Sequence, residues 1–249
     1  MRQPALRTLS ATVIAVATAA AVSAQVTPDH VPATGGPITI TPLNHATLEL
    51  SWGKLVVLVD PTPQARYDGL PKPTHILVTD IHGDHMDPKT IDAQKAVATV
   101  IVTPASVARS VPGATVINNG ETKTIAGLPV EAVPMYNLTR GPQPGQLFHD
   151  KGRGNGYVLT LGGKRIYIAG DTECTPEMKA LKNIDVAFVP MNLPYTMPPD
   201  EAAACVKAFA PKIVYPYHYR GQDLHTFQDA LKGTNIDVRL RDWYAAPKF

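Results

Sequence analysis

Short apolar runs separated by Gly, Pro and Asn follow one another along most of the chain. Such runs predict strands when they are rich in β-branched residues and end at turn formers. Strands are predicted at residues 38–41, 46–51, 55–59, 76–79, 99–102, 130–133, 157–161, 165–169, 186–189 and 213–215. Apolar residues three and four apart, after a Pro or a polar cap, predict helices at residues 88–95, 104–109, 176–181, 200–210 and 224–232. This mixture predicts an α/β fold in which helices cover sheets.

One hairpin pattern occurs twice in the chain. Residues 46–60 read as a strand, a turn at Gly53 and a second strand that ends at Asp60, and residues 157–171 repeat this order and end at Asp171. The repeat predicts two similar halves whose loops meet at one edge. Two acids at such an edge could bind metal, whereas the alternative for each is an Asp that only caps its loop.

The first 24 residues have the features of a secretory signal peptide. Arg2 and Arg7 precede an apolar run at residues 11–22, and Val22-Ser23-Ala24 offers a small-residue cleavage site. A membrane anchor would need about 18 to 20 apolar residues, which is longer than this run. We therefore expect cleavage after Ala24, a single domain at residues 25–249, a periplasmic or secreted location, and no membrane association of the cleaved protein.

The charge of the chain argues against nucleic acid as its main partner. The 23 Lys and Arg residues nearly balance the 21 Asp and Glu residues, for a net charge of +2. No Lys or Arg cluster is longer than a dipeptide, so the basic patch that nucleic acid requires is missing. A small-molecule substrate fits this composition better, and the sequence does not define an oligomeric state.

The two cysteines, Cys174 and Cys205, could form a disulfide or remain as thiols in an exported protein. Cys205 lies in the predicted helix at residues 200–210, where it borders the face formed by Ala202, Val206 and Phe209. This position is typical of a buried free thiol. The sequence therefore favours free thiols, with the disulfide as the alternative.

The densest group of potential metal ligands follows the predicted strand at residues 76–79. Asp80, His82, Asp84 and His85 lie within six residues of one another. Imidazole and carboxylate groups bind borderline or hard divalent cations. Four such groups on one tight loop cannot all reach one ion comfortably, so we predict a two-ion site that residues elsewhere complete. The alternative is an ordinary polar loop after a strand.

The segment Asp80-Ile-His82-Gly-Asp84-His85 resembles the H-x-H-x-D-H signature of the metallo-β-lactamase superfamily. Further segments resemble this family in the same order along the chain. They are Asn44-His45-Ala46, Leu58-Val59-Asp60-Pro61, Phe148-His149, Ala169-Gly170-Asp171-Thr172 and Tyr217-His218-Tyr219. The first two resemble the branch that includes the ascorbate-6-phosphate lactonase-like proteins.

The resemblance implies an αββα sandwich of two mixed β-sheets flanked by helices, with the site at one edge. It also implies one ion bound by Asp80, His82 and His149, and a second bound by Asp84, His85 and His218, with Asp171 between the two ions. Asp80 departs from the pattern because the family usually has histidine there. A carboxylate is a harder ligand than imidazole, so Mn²⁺ and Fe²⁺ compete at this position with Zn²⁺, which is otherwise the expected metal.

Each histidine and acid also has an alternative without metal. His149 could lie in a surface loop, His218 could be a buried structural histidine, and Asp171 could cap a loop. His45 could lie near the site or pack in the core. Of the remaining histidines, His75 is expected to be structural and His30 and His225 to be solvated.

Two divalent cations about 3.5 to 4 Å apart can activate a bridging water and polarise the substrate. The expected activity is hydrolysis of a small-molecule ester, lactone or phosphoester by a metal-bound hydroxide, with Asp84 orienting it and passing a proton to the leaving group. Tyr195, Arg153 and Tyr219, together with Tyr136, would suit a polar or anionic substrate.

Three alternatives to this activity remain open. One is a metal-binding or ligand-binding protein of the same fold without catalysis, which Asp80 motivates. Another is a single-metal enzyme in which the altered first site stays empty. The third is a β-lactam hydrolase, which is a secondary hypothesis about the substrate.

Overall fold

The structure is a computed structural model that describes residues 27–244. The predicted signal peptide at residues 1–24 lies outside the described residues. Within residues 27–244 no helix is both long and apolar enough to cross a membrane.

The described strands are β1 (Asp29–Val31), β2 (Ile38–Asn44), β3 (Thr47–Trp52), β4 (Leu55–Val59), β5 (His75–Leu77), β6 (Val100–Thr103), β7 (Thr115–Val116), β8 (Thr122–Ile125), β9 (Leu128–Met135), β10 (Gly154–Leu161), β11 (Lys164–Ile168), β12 (Val186–Pro190), β13 (Ile213–Tyr217) and β14 (Asp237–Val238). The described helices are α1 (Pro88–Gln94), α2 (Ala105–Ala108), α3 (Pro176–Lys179), α4 (Pro199–Phe209) and α5 (Leu224–Ala230).

The strands form two seven-stranded sheets, one from each half of the described chain. The first has the order β1 to β7 and the second has the order β14 to β8, so strand order follows the sequence in both. In each sheet the first four strands in sequence pair antiparallel and the later ones pair parallel. The two mixed sheets therefore confirm the two halves that the repeated hairpin predicts.

Alternation along the strands explains how the sheets pack. In β3 the side chains of Leu48 and Leu50 enter the core between the two sheets, together with Leu159 from β10, because successive side chains of a strand point to opposite faces. A second cluster, with Ile91 of α1, covers the outer face of the first sheet, and a third, with Val206 of α4, covers that of the second. The predicted αββα sandwich is confirmed.

The predicted strand at residues 76–79 ends two residues early, at Leu77. Thr79 leaves the ladder because its N–H donates to the carboxylate of Asp60 and its carbonyl accepts from the N–H of Asn155. The sequence pattern also misses β1, β7, β8 and β14, which are short or polar strands. Polar edge strands lack the apolar run by which strands are recognised.

The prediction of free thiols is wrong, because Cys174 and Cys205 form a disulfide. The sequence pattern correctly places Cys205 at the buried face of α4. The loop after β11 brings Cys174 into the same apolar cluster, a tertiary contact that a separation of 31 residues does not reveal. The disulfide therefore fastens the loop that carries Asp171 to α4.

Replacing both cysteines by alanine should lower the free energy of unfolding by about 3 kcal/mol, because the unfolded chain gains the freedom of a large loop. Urea unfolding of the double variant and of the wild type measures this difference. Wild type treated with dithiothreitol is the control and should unfold with the variant. Equal urea midpoints in oxidised wild type and variant would contradict the prediction.

Glu49 is an acid in the covered outer face of the first sheet. It lies on β3 beside Thr41 and Leu58, is only 4% exposed, and no described residue forms an ion pair with it. Burial raises the pKa of Glu49 to about 7. The folded protein therefore keeps this proton at a pH at which the unfolded chain, with an ordinary value of 4.5, has released it.

This difference predicts that the contribution of Glu49 to stability is complete below pH 4.5 and is lost as the pH rises through about 7. The substitution Glu49→Gln removes the ionisation, so it should raise the melting temperature at pH 8 but have little effect at pH 4. Thermal unfolding of both proteins at the two pH values checks this. An equal shift at both pH values would mean that the ionisation of Glu49 has no part in it.

Candidate metal centre

Six of the seven predicted metal ligands lie on loops that follow β5, β11 and β13, and His149 lies in the loop between β9 and β10. The loop after β5 carries Asp80, His82, Asp84 and His85, and other loops carry the remaining three residues. Those three are His149 before β10, Asp171 after β11 and His218 after β13. The carboxyl ends of β5, β11 and β13 and the amino end of β10 lie at one edge of the sandwich, so residues far apart in sequence come together there.

Four of these side chains form a group that we call the second half-site: Asp84, His85, Asp171 and His218. Their candidate ligand atoms all lie within 4.8 Å of one another. Nε2 of His218 lies 3.3 Å from Oδ2 of Asp84 and 3.4 Å from Oδ1 of Asp171. Nε2 of His85 lies 3.3 Å from Oδ2 of Asp171. These distances are short enough for one cation to contact all four side chains.

The other three side chains, Asp80, His82 and His149, form what we call the first half-site. Oδ2 of Asp80 lies 3.1 Å from Nδ1 of His82 and 4.0 Å from Nε2 of His149. The same nitrogen of His149 is 3.2 Å from Oδ2 of Asp171, which also faces His85. Asp171 thus lies between the half-sites, and the structure brings all seven predicted ligands together.

Buried polar atoms at this site indicate that it fits a metal. Nε2 of His149 and Oδ1 of Asp171 are buried and form no hydrogen bond, whereas buried polar atoms normally have a partner. Nε2 of His85 and Nε2 of His218 face each other at 3.2 Å. A divalent cation would satisfy nitrogen lone pairs and carboxylates together, so this set of donors fits one.

The charges of the second half-site are mutually stabilised. Burial by itself lowers the pKa of His85, but Asp171 and Asp60 on either side raise it well above its ordinary value. Burial would raise the pKa of Asp171, but His218 and His85 bring it well below the usual range. Asp171 is therefore a carboxylate at neutral pH, which is the form that binds metal.

Asp60 lies behind His85 and is fully buried. Its Oδ2 is 2.8 Å from Nδ1 of His85, and its two oxygens accept bonds of 2.7 Å from the N–H and the hydroxyl of Thr79. Asp60 is therefore neither a member of the ligand groups nor a simple loop cap. It orients the ring of His85, as the carboxylate partners of metal-binding histidines do.

Asn137 and Glu173 orient His149, and the sequence analysis did not assign them to the site. Oδ1 of Asn137 lies 2.6 Å from Nδ1 of His149. The buried carboxylate of Glu173 accepts bonds from the amide of Asn137 and from the N–H groups of Leu138, Thr139 and Arg140. The acid directly after the Gly-Asp-Thr segment is the one sequence feature that could have indicated this role.

Gly170 allows Asp171 to reach the site. Its φ is +67°, and a Cβ there would lie 2.4 Å from Sδ of Met135. Only glycine adopts this backbone readily and leaves that space free. The Gly-Asp-Thr sequence is thus a geometric requirement of the loop after β11.

His45 satisfies both of its predicted alternatives. It is buried, with its ring centroid 3.6 Å from that of His218 and its Nε2 3.2 Å from Oδ2 of Asp84. The hydroxyl of Tyr244 is hydrogen-bonded to Nδ1 of the same ring. Burial lowers the pKa of His45 to about 4, so the ring is neutral beside Asp84 at physiological pH.

The residues predicted to contact substrate have different surroundings. Arg153 forms an ion pair with Asp80, and the hydroxyl of Tyr219 donates to the carbonyl of Arg241. Tyr195 is 45% exposed. The hydroxyl of Tyr136 donates to Glu177. Their roles toward substrate remain predictions.

The other histidines lie away from the two half-sites. His75 is buried, with its Nε2 2.9 Å from the carbonyl of Ile125, in keeping with a structural role. His30 and His225 are exposed.

Comparison with known proteins identifies the family of this chain. A family model described as a β-lactamase superfamily domain matches residues 39–218, which include all seven candidate ligands. The chain belongs to the metallo-β-lactamase superfamily. A metal-dependent hydrolase of the UPF0173 family from Symbiobacterium thermophilum is 33% identical over 193 residues, which cover 71% of this chain and 82% of the relative. Another from Methanopyrus kandleri is 28% identical over 222 residues, or 81% of this chain and 94% of the relative.

Solved structures share the fold of this chain. A protein from Parabacteroides distasonis, described as a metal-dependent hydrolase, matches with a TM-score of 0.82 and 43% identity over 87% of this chain and 99% of that one. CmlA, a diiron β-hydroxylase from Streptomyces venezuelae, has a TM-score of 0.61 at 17% identity over 84% of this chain and 53% of that one, a likeness of fold alone. The chain is a metal-dependent hydrolase of the metallo-β-lactamase fold, with a candidate metal site.

The substitution Asp60→Asn should weaken the binding of one Zn²⁺ roughly 10- to 100-fold, because an amide no longer holds the ring of His85 as a carboxylate does. Competition of the protein with a chromogenic chelator measures the affinity. Asp87→Asn is the matched control, because Asp87 caps α1 outside the two half-sites, and it should leave zinc binding unchanged. Wild-type affinity in the Asp60 variant would contradict the role of Asp60.

Proposed function

We propose that this metal-dependent hydrolase is exported and cleaves a small-molecule ester or lactone at a site for two divalent cations. The observation that carries the proposal is the place of Asp171 between two ligand groups that share its carboxylate. We assign Asp80, His82 and His149 to one ion, and Asp84, His85 and His218 to the other. Zn²⁺ is the expected metal, and the carboxylate of Asp80 keeps Mn²⁺ and Fe²⁺ as competitors.

A pair of divalent cations, when bound, would activate a water for attack and polarise the oxygen that receives negative charge. Asp84 is placed to handle the proton. Its side chain is 44% exposed, and its Oδ2 faces Nε2 of both His45 and His218. Burial would raise the pKa of Asp84, but hydrogen bonds from His218 and His45 lower it, so the carboxylate is ionised at neutral pH.

The surface formed by Leu138, Leu193 and Tyr195, which we call the rim, favours a substrate with an apolar group. Leu138, Leu193 and Tyr195 are large exposed side chains of this rim, and the ring of Tyr195 is 4.9 Å from that of Phe148. Asn137, the partner of His149, also donates to the carbonyl of Tyr195 at 2.8 Å, so the rim is fastened to the site.

The three Lys and Arg residues of residues 140–153, beside this rim, have carboxylate partners. Arg153 binds Asp80, Arg140 binds Glu201, and Lys151 binds Glu177. Cations that are neutralised in this way attract a phosphate less, so the arrangement favours a neutral ester or lactone over a phosphoester. The resemblance to the ascorbate-6-phosphate lactonase-like branch also supports a lactone, and membership of that branch stays part of the proposal.

Two observations support export. The first 24 residues have the pattern of a cleavable signal peptide. The disulfide between Cys174 and Cys205 suits an oxidising compartment, because disulfides are rare in cytosolic proteins.

The substitution Asp84→Asn should lower kcat for ester and lactone hydrolysis by about 100-fold or more, because the amide cannot accept a proton. The protein should lose at most one of its two ions. Turnover of p-nitrophenyl esters and aliphatic lactones by zinc-loaded protein, with metal content by mass spectrometry, gives both quantities.

Near-normal turnover in the Asp84 variant would contradict its assigned role. Wild type that binds two ions but hydrolyses no ester, lactone, phosphoester or β-lactam would favour the alternative of a binding protein. Asp87→Asn serves again as the control and should leave kcat and metal content unchanged.

A further inference from the structure

The carboxylate of Asp80 is held on both oxygens by one guanidinium. Nε of Arg153 donates to Oδ1 at 3.1 Å and Nη2 donates to Oδ2 at 2.9 Å. The side chain of Asp80 is fully buried and that of Arg153 is 23% exposed. A planar guanidinium that binds a carboxylate with two parallel bonds fixes its orientation as well as its charge.

Arg153 itself is fixed from several directions. Its Nη1 donates to the carbonyl of Phe148 at 2.9 Å, the residue directly before His149. Its own carbonyl accepts a bond of 2.6 Å from the hydroxyl of Ser106, and its N–H donates to the carbonyl of Asp150. One side chain therefore connects Asp80 with the backbone that carries His149, and these are two of the three members of the first half-site.

The ion pair leaves Oδ2 of Asp80 able to contact a cation. This oxygen still faces Nδ1 of His82 at 3.1 Å and Nε2 of His149 at 4.0 Å. A carboxylate oxygen has room for a second partner besides one N–H. Asp80 can thus serve as a ligand through Oδ2 while Arg153 holds both of its oxygens.

The charges of the two half-sites differ as a result. In the first, Asp80 and Arg153 sum to zero, and the two histidines add no charge because imidazole binds a metal in its neutral form. In the second, Asp84 supplies a negative charge of its own, Asp171 supplies one that both half-sites share, and no described Lys or Arg forms an ion pair with either acid. Since a dication is attracted by net negative charge and repelled by a nearby guanidinium, the first half-site is the weaker of the two.

We propose that Arg153 is a positioning residue for Asp80. The ion pair of these two residues has no net charge, like the neutral histidine that the superfamily signature has in place of Asp80. The pair keeps the first half-site weak, so that two ions bind in order, the second half-site first. This inference rests on the ligand assignments of the proposed function but not on the hydrolytic reaction.

Zinc binding to the purified protein, stripped of metal and titrated against a chromogenic chelator, tests the inference without any measurement of activity. Wild type should show two dissociation constants that differ by about tenfold or more. Arg153→Gln removes the positive charge and should tighten the weaker constant by about tenfold or more, with the tighter one unchanged. Arg153→Lys keeps the charge and should leave the weaker constant weak.

The matched control is Arg165→Gln. Arg165 lies on β11, and its guanidinium pairs with Glu131 at 3.1 Å, so this variant should leave both constants unchanged. Asp80→Asn should abolish the weaker ion, because Arg153 would then add an uncompensated positive charge. This second variant tests the inference even if Arg153→Gln does not fold without metal.

Melting temperatures distinguish an electrostatic effect of Arg153 on zinc binding from a purely structural role of this residue. Arg153→Gln leaves the buried carboxylate of Asp80 without its partner, so its melting temperature in chelator should fall below that of wild type. Zinc should raise it more than it raises that of wild type, since the ion replaces the lost cation. This excess rescue requires the metal to bind at Asp80, which a purely structural Arg153 would not produce.

Two results would overturn the inference: one class of zinc site in wild type, or a folded Arg153→Gln protein whose weaker constant is unchanged or weaker still. Failure of the proposed function is recognised separately. Two ordered zinc ions without turnover would overturn hydrolysis while leaving the role of Arg153 intact.

Discussion

Burial of carboxyl groups at one edge of the sandwich is the constraint on which the rest of this structure depends. Asp60, Asp80 and Asp171 are at most 2% exposed, and an ionised carboxylate without a partner is costly there. Each of these three carboxyl groups has partners that offset the cost of its burial. Thr79 and His85 bind Asp60, Arg153 binds Asp80, and the histidines of both half-sites surround Asp171. The loops must follow the paths they take because these partners come from both halves of the chain.

The residues that position the candidate ligands also fix their loops at points away from the metal centre. Glu173 gathers the N–H groups of residues 138–140 and so holds Asn137 against His149. The next residue, Cys174, anchors the same loop to α4. Asp171 lies two residues before Glu173, so one short segment supplies a ligand, a positioning acid and a covalent anchor. The loop that carries these residues is thereby fixed to α4, which covers the outer face of the second sheet.

Much of the fold and of the candidate site could be predicted from the sequence, and the failures share one cause. The two hairpins, the helices and the convergence of His82, Asp84 and His218 follow from local patterns and ordered motifs. The disulfide, the ion pair of Arg153 with Asp80 and the role of Glu173 depend on contacts between segments far apart in sequence. No periodicity records such contacts, so the sequence predicts a free thiol at Cys205 and does not predict the partner of Arg153.

The uneven exposure of the ligands defines the open face of the centre. His82 and Asp84 have side chains that are 45% and 44% exposed, whereas those of Asp80, His85, His149 and His218 are nearly inaccessible. Both exposed residues belong to the loop after β5, so that loop borders the accessible side of the candidate metal centre. Asp84 is therefore the one carboxylate of the set that can contact ion, substrate and solvent together. That position suits the proton-accepting role proposed for Asp84, because an acid as buried as Asp171 could not exchange a proton with solvent.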